Sequence, residues 1–309
     1  MVYIGVDLGG TKLSGALFTE NNTMLIRETL YLEGREGDQV ADLIFTLCDK
    51  LISKGAIGSE HKKCIGICVP GIAYSKSGNV WAPNIKNWDN YPLREKLSER
   101  YPNSLITVES DRTCYIMGEV SQGVARGCEN AVFIAVGTGI GAGILIDGRV
   151  LHGASDIVGA AGWMALKPPY DKEWDSSGCF ESHASGSGIT SRAKKEGIAG
   201  LPSEKITPKE IFEAYYKNNP VAVKVIDDAI EMWGMAAANF VSLFNPEIIV
   251  FGGGIFGPAA VFIDRIYNEA LKWAQPIAIK QCRFAATMLP DTAGLYGAGA
   301  IARMAHTKI

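Results

Sequence analysis

Three apolar segments of this chain run directly into glycine-rich turns, and this recurrence constrains the fold more than any other feature. The turns are Gly9-Gly10-Thr11-Lys12, Gly137-Thr138-Gly139 and Gly252-Gly253-Gly254. Glycine adopts positive φ angles and lets main-chain N–H groups approach a ligand closely. Clusters of such N–H groups bind phosphate oxygens. The first two turns also lead into another strand-like segment, so the pattern predicts strands that end at a nucleotide-phosphate site.

Length and composition are those of a globular protein with two domains. The 309 residues are 47% hydrophobic and 20% charged, with a net charge of −3. This charge predicts no surface for nucleic acid or an anionic membrane. The longest apolar stretch, 131–146, contains four glycines and indicates strand–turn–strand rather than a membrane helix. We expect no secretory signal, and seven cysteines, several in apolar segments, favour reduced thiols in the cytoplasm.

The first part of the chain alternates predicted strands and helices. Periodicity predicts strands at 3–8, 12–19, 23–32, 63–70 and 105–109, helices at 38–54 and 114–122, and a loop at 71–90. The pattern then restarts, which predicts a duplicated α/β fold. Its second copy has strands at 131–136, 142–146, 149–151 and 247–251 and helices at 187–196, 221–244, 259–274 and 293–305. We place a small lobe at 1–118 and a large lobe at 119–292.

Several short motifs occur in an order that resembles the ROK family (repressors, open reading frames and kinases) of the actin/hexokinase/Hsp70 superfamily. They are Asp7-Leu8-Gly9-Gly10-Thr11-Lys12, Pro70-Gly71, Ala82-Pro83-Asn84, Asp111, Gly137-Thr138-Gly139-Ile140-Gly141, Gly178-Cys179-Phe180-Glu181 and Gly252-Gly253-Gly254. The resemblance spans nearly the whole chain. It implies two ribonuclease-H-like α/β lobes with a ligand cleft between them, the small lobe being completed by 293–309. Many repressor members carry an N-terminal winged helix, whereas here the first strand starts at residue 2, which favours a sugar kinase.

The resemblance implies ATP and Mg²⁺ as cofactors. The turns at 9–11 and 137–139 would donate hydrogen bonds to the β- and γ-phosphates, and 252–254 would lie along the adenosine. Asp7 would hold Mg²⁺ through water, since Mg²⁺ gives up its water reluctantly; otherwise Asp7 caps a turn. Lys12 would neutralise phosphate charge, or it is a solvated lysine at a strand end. A P-loop is disfavoured because the chain has no GxxxxGK[ST] sequence.

The resemblance also implies a sugar site. Asp111 would take the proton of the attacking hydroxyl, which requires hydrogen-bond reach; the alternative is a helix N-cap. The family has an asparagine before this aspartate, and Ser110 replaces it here. Gly71, Asn84 and Glu181 match sugar-binding positions; the alternatives are a turn residue for Asn84 and a surface glutamate for Glu181.

Two departures from the family pattern bear on the substrate and on zinc. Trp163 and Leu166 stand where family kinases carry the glutamate and histidine of Glu-x-Gly-His. Of the family's cysteine cluster only Cys179 is retained, and with His183 it falls short of the four ligands of a zinc site. We therefore predict no structural zinc. The missing hydrogen bonds predict poor binding of plain glucose and favour a modified sugar or glycoside that stacks on Trp163, unless Trp163 packs in the core.

The sequence thus predicts a cytoplasmic ATP-dependent kinase of a small carbohydrate. A catalytically silent sugar sensor is the first alternative, and a DNA-binding repressor is the second. Kinases of this family often form dimers, so a homodimer is possible.

Overall fold

The computed structural model describes residues 1–58 and 61–307, arranged in two compact units. Unit 1 comprises Met1–Gly127, His152–Val158 and Asp291–Ile309, and unit 2 comprises Cys128–Leu151 and Gly159–Pro290. The last two residues of the predicted 293–309 segment lie outside the described residues. Each unit is an α/β structure with its own sheet, so the predicted α/β class is confirmed.

The sheet of unit 1 has the strand order β3-β2-β1-β4-β7. Strands β1, β2 and β3 form an antiparallel meander, and β1, β4 and β7 run parallel. The strands of unit 1 are β1 (Val2–Leu8), β2 (Lys12–Phe18), β3 (Met24–Tyr31), β4 (Lys63–Val69), β5 (Ile72–Ala73), β6 (Val80–Trp81) and β7 (Ser104–Ser110). The helices are α1 (Asp38–Lys54), α2 (Leu93–Arg100), α3 (Asp111–Gln122) and α10 (Ala293–Thr307).

The sheet of unit 2 repeats this arrangement with the order β10-β9-β8-β11-β12. Its strands are β8 (Ala131–Val136), β9 (Ile140–Ile146), β10 (Arg149–Val150), β11 (Ile248–Gly252) and β12 (Arg283–Ala286). The helices are α4 (Cys179–Ala184), α5 (Gly186–Glu196), α6 (Pro208–Tyr216), α7 (Pro220–Phe244), α8 (Ile263–Ala270) and α9 (Ala278–Gln281). The identical strand order in the two sheets is what the repeated sequence pattern predicts.

Local sequence explains the helix positions. In α1 the buried side chains recur every three or four residues, from Val40 to Leu51, so one face packs on the sheet. Asn219 caps α7 because its side-chain oxygen accepts hydrogen bonds from the backbone N–H groups of Val221 and Ala222. The helix ends at Asn245, which adopts the left-handed conformation typical of a C-cap.

The structure corrects several element predictions. The helix predicted at 259–274 is a 3₁₀ turn, Pro258–Phe262, followed by α8, because the first turn tightens before regular α geometry begins. The predicted loop 71–90 contains the short ladder of β5 with β6. The helix predicted from residue 114 begins at Asp111. Helices α2, α4, α6 and α9 and strand β12 carry too few residues for periodicity to predict them.

None of the helices in residues 1–58 and 61–307 combines the length and apolar character needed to cross a membrane.

Candidate active site

Two carboxylates lie at one edge of the sheet in unit 1. Because β1, β4 and β7 are parallel, their carboxyl ends meet at the same edge. Asp7 is the penultimate residue of β1, and Asp111 directly follows the end of β7. In the ladder Asp7 lies opposite Cys68. Unit 1 therefore brings the predicted Mg²⁺ ligand and the predicted base to one edge.

Asp111 is the first residue of α3, and it is not the N-cap. The N-cap position belongs to Ser110, whose backbone is extended. One carboxylate oxygen of Asp111, Oδ1, accepts a hydrogen bond from the backbone N–H of Arg112 at 2.8 Å. That contact orients the carboxylate through Oδ1. The alternative interpretation of Asp111 as an N-cap is wrong, because Ser110 occupies that place.

Burial perturbs the acidity of Asp111. Desolvation raises its pKa to about 6, the neighbouring Arg112 opposes this, and the charge of Asp7 adds to it. A general base works best when its pKa lies near the operating pH. At neutral pH Asp111 is thus ionised and basic enough to accept a hydroxyl proton.

Asp7 is a partly buried carboxylate with little compensating charge. Burial raises its pKa, while a hydrogen bond from the Cys68 thiol and the charge of Lys12 lower it. Helix α10 approaches so closely that a Cβ on Gly294 would lie 2.7 Å from Oδ2 of Asp7. A carboxylate in these surroundings fits a hard divalent cation, because Mg²⁺ needs only one or two protein carboxylates beside phosphate and water.

The first glycine turn connects β1 to β2 in unit 1. Its backbone closes through a hydrogen bond from Gly9 N to Lys12 O at 2.9 Å. Gly10, Thr11 and Lys12 are exposed. The turn is therefore accessible to a ligand directly beside Asp7.

Gly71 and Asn84 belong to the segment that follows β4. Gly71 has a φ of 100°, and a Cβ there would collide with the carbonyl of Trp81. This close approach requires glycine. Directly after Trp81, the 82–85 turn is closed by a hydrogen bond from Ile85 N to Ala82 O at 2.9 Å. Asn84 is exposed on that turn.

Ser110 is buried, and its Oγ lies 3.5 Å from Oγ1 of Thr113.

In unit 2 the turn between β8 and β9 contacts the start of α5. Gly186 N donates to Gly137 O at 2.8 Å, and Ser187 N donates to Thr138 O at 3.2 Å. The same turn lines a cavity of about 770 Å³. The cavity wall consists of Gly137, Thr138, Gly186, Ser187, Thr190, Ser191, Lys194, Pro208, Gly254 and Ile255.

This cavity, which we call the nucleotide cavity after the role predicted for its glycines, joins two of the predicted glycine segments. Gly252 ends β11, Gly253 has a φ of 88° against the backbone of Val136, and Gly254 lies on the cavity wall. Its volume falls within the range of about 300–1,000 Å³ that small-molecule sites occupy. Sequence reasoning missed the contribution of α5, because Ser187 and Lys194 lie in no glycine motif.

The Glu181 side chain connects α4 to the end of the turn at 137–139. Its Oε2 accepts a hydrogen bond from Ile140 N at 2.6 Å, and a Cβ on Gly139 would lie 2.5 Å from the same oxygen. Burial raises the pKa of Glu181, whereas the backbone hydrogen bond lowers it. Glu181 is partly buried, so it is not the surface glutamate of the alternative interpretation.

Trp163 ends a 3₁₀ turn, Ala161–Trp163, and its side chain is 59% exposed. The alternative that it packs in the core is therefore wrong. The structure thus brings the predicted site residues of unit 2 together in two groups. Gly137, Thr138 and Gly254 line the nucleotide cavity, and Glu181 lies against Gly139.

The remnant of the family's zinc motif is held by protein contacts. The Nδ1–H of His183 donates to Cys179 O at 2.8 Å within α4, and the His183 ring packs edge-on against Trp174 at 5.1 Å. Within residues 1–58 and 61–307 no group of three or more histidine, cysteine, aspartate or glutamate residues is placed to hold a metal. These contacts do not fit a four-ligand zinc site.

One polar pair at the edge of unit 1 was not predicted. Nε2 of His152 lies 3.0 and 3.1 Å from the two carboxylate oxygens of Glu109, close to Asp111 in the chain. The two residues are 43 positions apart, so no local pattern reveals the pair.

The repeated strand order and the glycine turns at strand ends define a protein of the actin/hexokinase fold class. A model of the ROK family matches residues 3–305. The chain belongs to the ROK family, which confirms the resemblance identified from its motifs.

Individual relatives agree with this assignment. The chain is 30% identical over 314 residues to a glucokinase of Thermotoga maritima, covering 96% of each chain. It superposes on the crystal structure of a ROK hexokinase from Thermus thermophilus with a TM-score of 0.84 and 25% identity, covering 100% of both chains. A ROK glucokinase of Streptomyces griseus, solved in complex with glucose and AMPPNP, gives a TM-score of 0.77 and 26% identity over 98% of this chain and 100% of that chain.

Proposed function

We propose that this protein is an ATP-dependent carbohydrate kinase with Asp111 as its general base. A sugar hydroxyl oxygen bonds to the γ-phosphorus of ATP as the bond to the β-phosphate oxygen breaks, and Asp111 takes the hydroxyl proton. The products are a sugar phosphate and ADP. The observation that carries the proposal is the placement of Asp7 and Asp111 at one edge of the sheet, with a pKa of about 6 for Asp111.

Mg²⁺ is part of the proposal. Bound at Asp7 through water, it would neutralise charge on the transferred phosphate, which is the main requirement of phosphoryl transfer. Burial raises the pKa of Asp7 although Lys12 and Arg27 lower it, and a bound cation would stabilise its ionised form, which supports this assignment.

The protein would bind ATP through its three glycine turns. Gly9, Gly10 and Thr11 in unit 1 and Gly137, Thr138 and Gly139 in unit 2 would donate hydrogen bonds to phosphate oxygens, and Lys12 would add positive charge. Gly252, Gly253 and Gly254 would lie along the adenosine, supported by the position of Gly254 on the wall of the nucleotide cavity. The AMPPNP in the Streptomyces griseus relative supports ATP as the phosphate donor.

The acceptor would be a carbohydrate other than plain glucose. Gly71, Asn84 and Ser110 in unit 1 and Trp163 and Glu181 in unit 2 are the proposed contacts. An exposed indole in place of the family's glutamate offers an apolar face and no acceptor for a hydroxyl. Leaving a buried polar group of the sugar unpaired costs about 1–3 kcal/mol. This favours a hexose that is substituted or deoxygenated at that position.

A silent sugar sensor is the second candidate function. It is favoured by Ser110, which replaces the family's asparagine and is buried with only a long 3.5 Å contact to Thr113. Retention of both carboxylates at the sheet edge favours the enzyme.

For the whole protein we further propose a cytoplasmic location, which the seven free, buried cysteines support. A homodimer remains an expectation from the family resemblance.

The test is ADP release with Mg·ATP across hexoses, N-acyl hexosamines, deoxysugars, cyclitols and glycosides, beside the variant Asp111→Asn. Turnover of one class that the variant abolishes supports the kinase. If no sugar of the panel causes ADP release but sugars still raise the melting temperature, the result supports the sensor and contradicts the kinase. If unmodified glucose is the best substrate, the assignment of a modified acceptor is wrong.

A further inference from the structure

The proposed function assigns no ligand to a second cavity in unit 2. Its volume is about 690 Å³, and it lies between the 167–177 segment and the helices α4 and α5. Glu181, which the proposed function places on the acceptor, forms part of its wall, and Trp163 precedes the 167–177 segment by a few residues. We call it the side cavity. It shares only Ser187 and Ser191 with the nucleotide cavity.

Ion pairs hold four of the seven charged residues that line the side cavity, Arg192, Lys195, Glu173 and Glu196, and the other three are Lys167, Asp171 and Glu181. Arg192 forms an ion pair with Asp228, and Lys195 forms one with Glu173 at 3.0 Å. Lys224 pairs in the same way with Glu196 at 2.9 Å. A site for a phosphate or another anion needs uncompensated positive charge. The pairing therefore favours a neutral ligand.

The wall is rich in groups that bind hydroxyls. Oγ of Ser177 and Oγ of Ser182 lie 2.8 Å apart, and both residues line the cavity with Ser176, Ser185 and Ser191. Burial lowers the pKa of His183, so its ring is neutral at pH 7, and because Nδ1 donates to Cys179 O, Nε2 is an acceptor. Nη1 of Arg192 is buried without a partner among the described residues and is a donor in need of an oxygen.

Aromatic side chains supply the apolar part of the wall. Tyr170 is 70% exposed, and its hydroxyl donates to Asp175, which fixes the ring. Trp174 is held by its edge-on contact with His183. Flat aromatic faces beside hydroxyl-binding groups suit a ligand that presents both C–H faces and hydroxyls. A sugar ring has this chemistry.

We propose that the side cavity is a carbohydrate subsite that holds the non-reacting ring of a neutral disaccharide or glycoside acceptor. The inference rests on the proposed function, since it assigns the second ring of the kinase's acceptor. Glu181 connects the two parts of the site, because it is placed on the reacting ring and lines the cavity for the other.

The decisive variant fills the cavity. Ser176 is exposed on the wall, so Ser176→Trp occupies the space with little effect on folding. We expect the ratio of kcat/KM for a disaccharide to kcat/KM for its constituent monosaccharide to exceed ten in the natural protein and to fall at least tenfold in the variant. Ser203→Trp, at an exposed serine outside the cavity, is the matched control and leaves the ratio unchanged. A ratio below ten in the natural protein, or a ratio that Ser176→Trp does not change, overturns the proposal.

Binding separates this outcome from failure of the proposed function. Calorimetric titration of the disaccharide without ATP tests the subsite even if no sugar is phosphorylated. A dissociation constant that Ser176→Trp raises tenfold and Ser203→Trp does not change supports the subsite in a protein that is not a kinase. Turnover of monosaccharides with no detectable disaccharide binding supports the kinase and rejects the subsite.

Discussion

At the residue scale, Asp111 combines a fixed orientation with an unusual acidity. Arg112 N holds Oδ1 at 2.8 Å, and burial places the pKa at about 6. The carboxylate is therefore directed by the first turn of α3 and is still ionised at neutral pH. This combination is what a base acting on a hydroxyl requires.

The pH profile of the reaction should report this group. Below about pH 6 Asp111 becomes protonated and can no longer accept a proton. We expect kcat/KM to fall about tenfold for each pH unit below that value and to be flat just above it. Initial rates between pH 4.5 and 8 test this. A profile that stays flat down to pH 4.5 would exclude Asp111 as the base.

The negative charge of the buried Asp111 carboxylate should also lower the free energy of unfolding. The pKa of Asp111 rises from its usual 3.8 in the unfolded chain to about 6 in the folded protein, so the folded state binds the proton more tightly. Stability therefore falls as pH rises from about 4 to 6 and the penalty is complete above pH 6. Asp111→Asn removes it and should raise the free energy of unfolding at pH 7.5 by roughly 1–3 kcal/mol while abolishing turnover.

Chemical denaturation at pH 7.5 and at pH 4 measures this effect. The gain should shrink at pH 4, where Asp111 is protonated in the folded protein. An equal gain at both pH values would mean that the charge is not its source.

At the element scale, the approach of α10 to β1 fixes Asp7. A Cβ on Gly294 would lie 2.7 and 2.9 Å from the two carboxylate oxygens of Asp7. In Gly294→Ala the carboxylate must move, so we expect kcat/KM for Mg·ATP to fall at least tenfold. Helix propensity favours alanine by about 1 kcal/mol, which limits any loss of melting temperature.

Gly257→Ala is the control for this substitution. The nearest atom to its Cβ would be the carbonyl oxygen of Gly254 at 3.7 Å, and its φ of −67° suits any residue. Activity in Gly257→Ala should match that of the natural protein. Full activity in Gly294→Ala would show that the position of Asp7 is not critical.

The contact of α4 with the turn at 137–139 gives a second prediction at this scale. Glu181→Gln keeps an oxygen for the N–H of Ile140, whereas Glu181→Ala leaves that N–H without its 2.6 Å partner. We expect KM for ATP to stay within about twofold in the glutamine variant and to rise about tenfold or more in the alanine variant, since a lost hydrogen bond to a charged group costs about 1.5–3 kcal/mol. Equal KM values for ATP in the two variants would mean that Glu181 does not support the turn.

At the scale of the whole molecule, we predict that this chain, unlike the zinc-binding members of its family, contains no structural zinc. Protein contacts through His183, Cys179 and Trp174 hold the region of the lost cysteine cluster. We expect elemental analysis to find less than a tenth of an equivalent of zinc and a chelator to leave the melting temperature unchanged. Stoichiometric zinc, with a fall in melting temperature on chelation, would contradict this. Mg²⁺ removal should instead abolish turnover with the fold intact.

Sequence reasoning predicted the elements whose signals are local. The six buried positions of α1 and the apolar runs of β1 and β8 are visible in the sequence, and those elements lie within a residue of their predicted bounds. The sequence did not predict the 3₁₀ turn at 258–262 or the short ladder of β5 with β6. Both are too short to show a periodic pattern, and they depend on tertiary contacts.

The sequence by itself determined the repeated α/β order, the glycine turns and the family, because strand periodicity and motif spacing are local properties of the chain. Only the tertiary structure decided that Asp111 starts a helix and has a pKa of about 6, that Trp163 is exposed, and that the side cavity exists. Desolvation, exposure and enclosed volume depend on residues far apart in the chain, such as Gly294 beside Asp7. Packing brings those residues together, and no pattern within a short segment encodes the result.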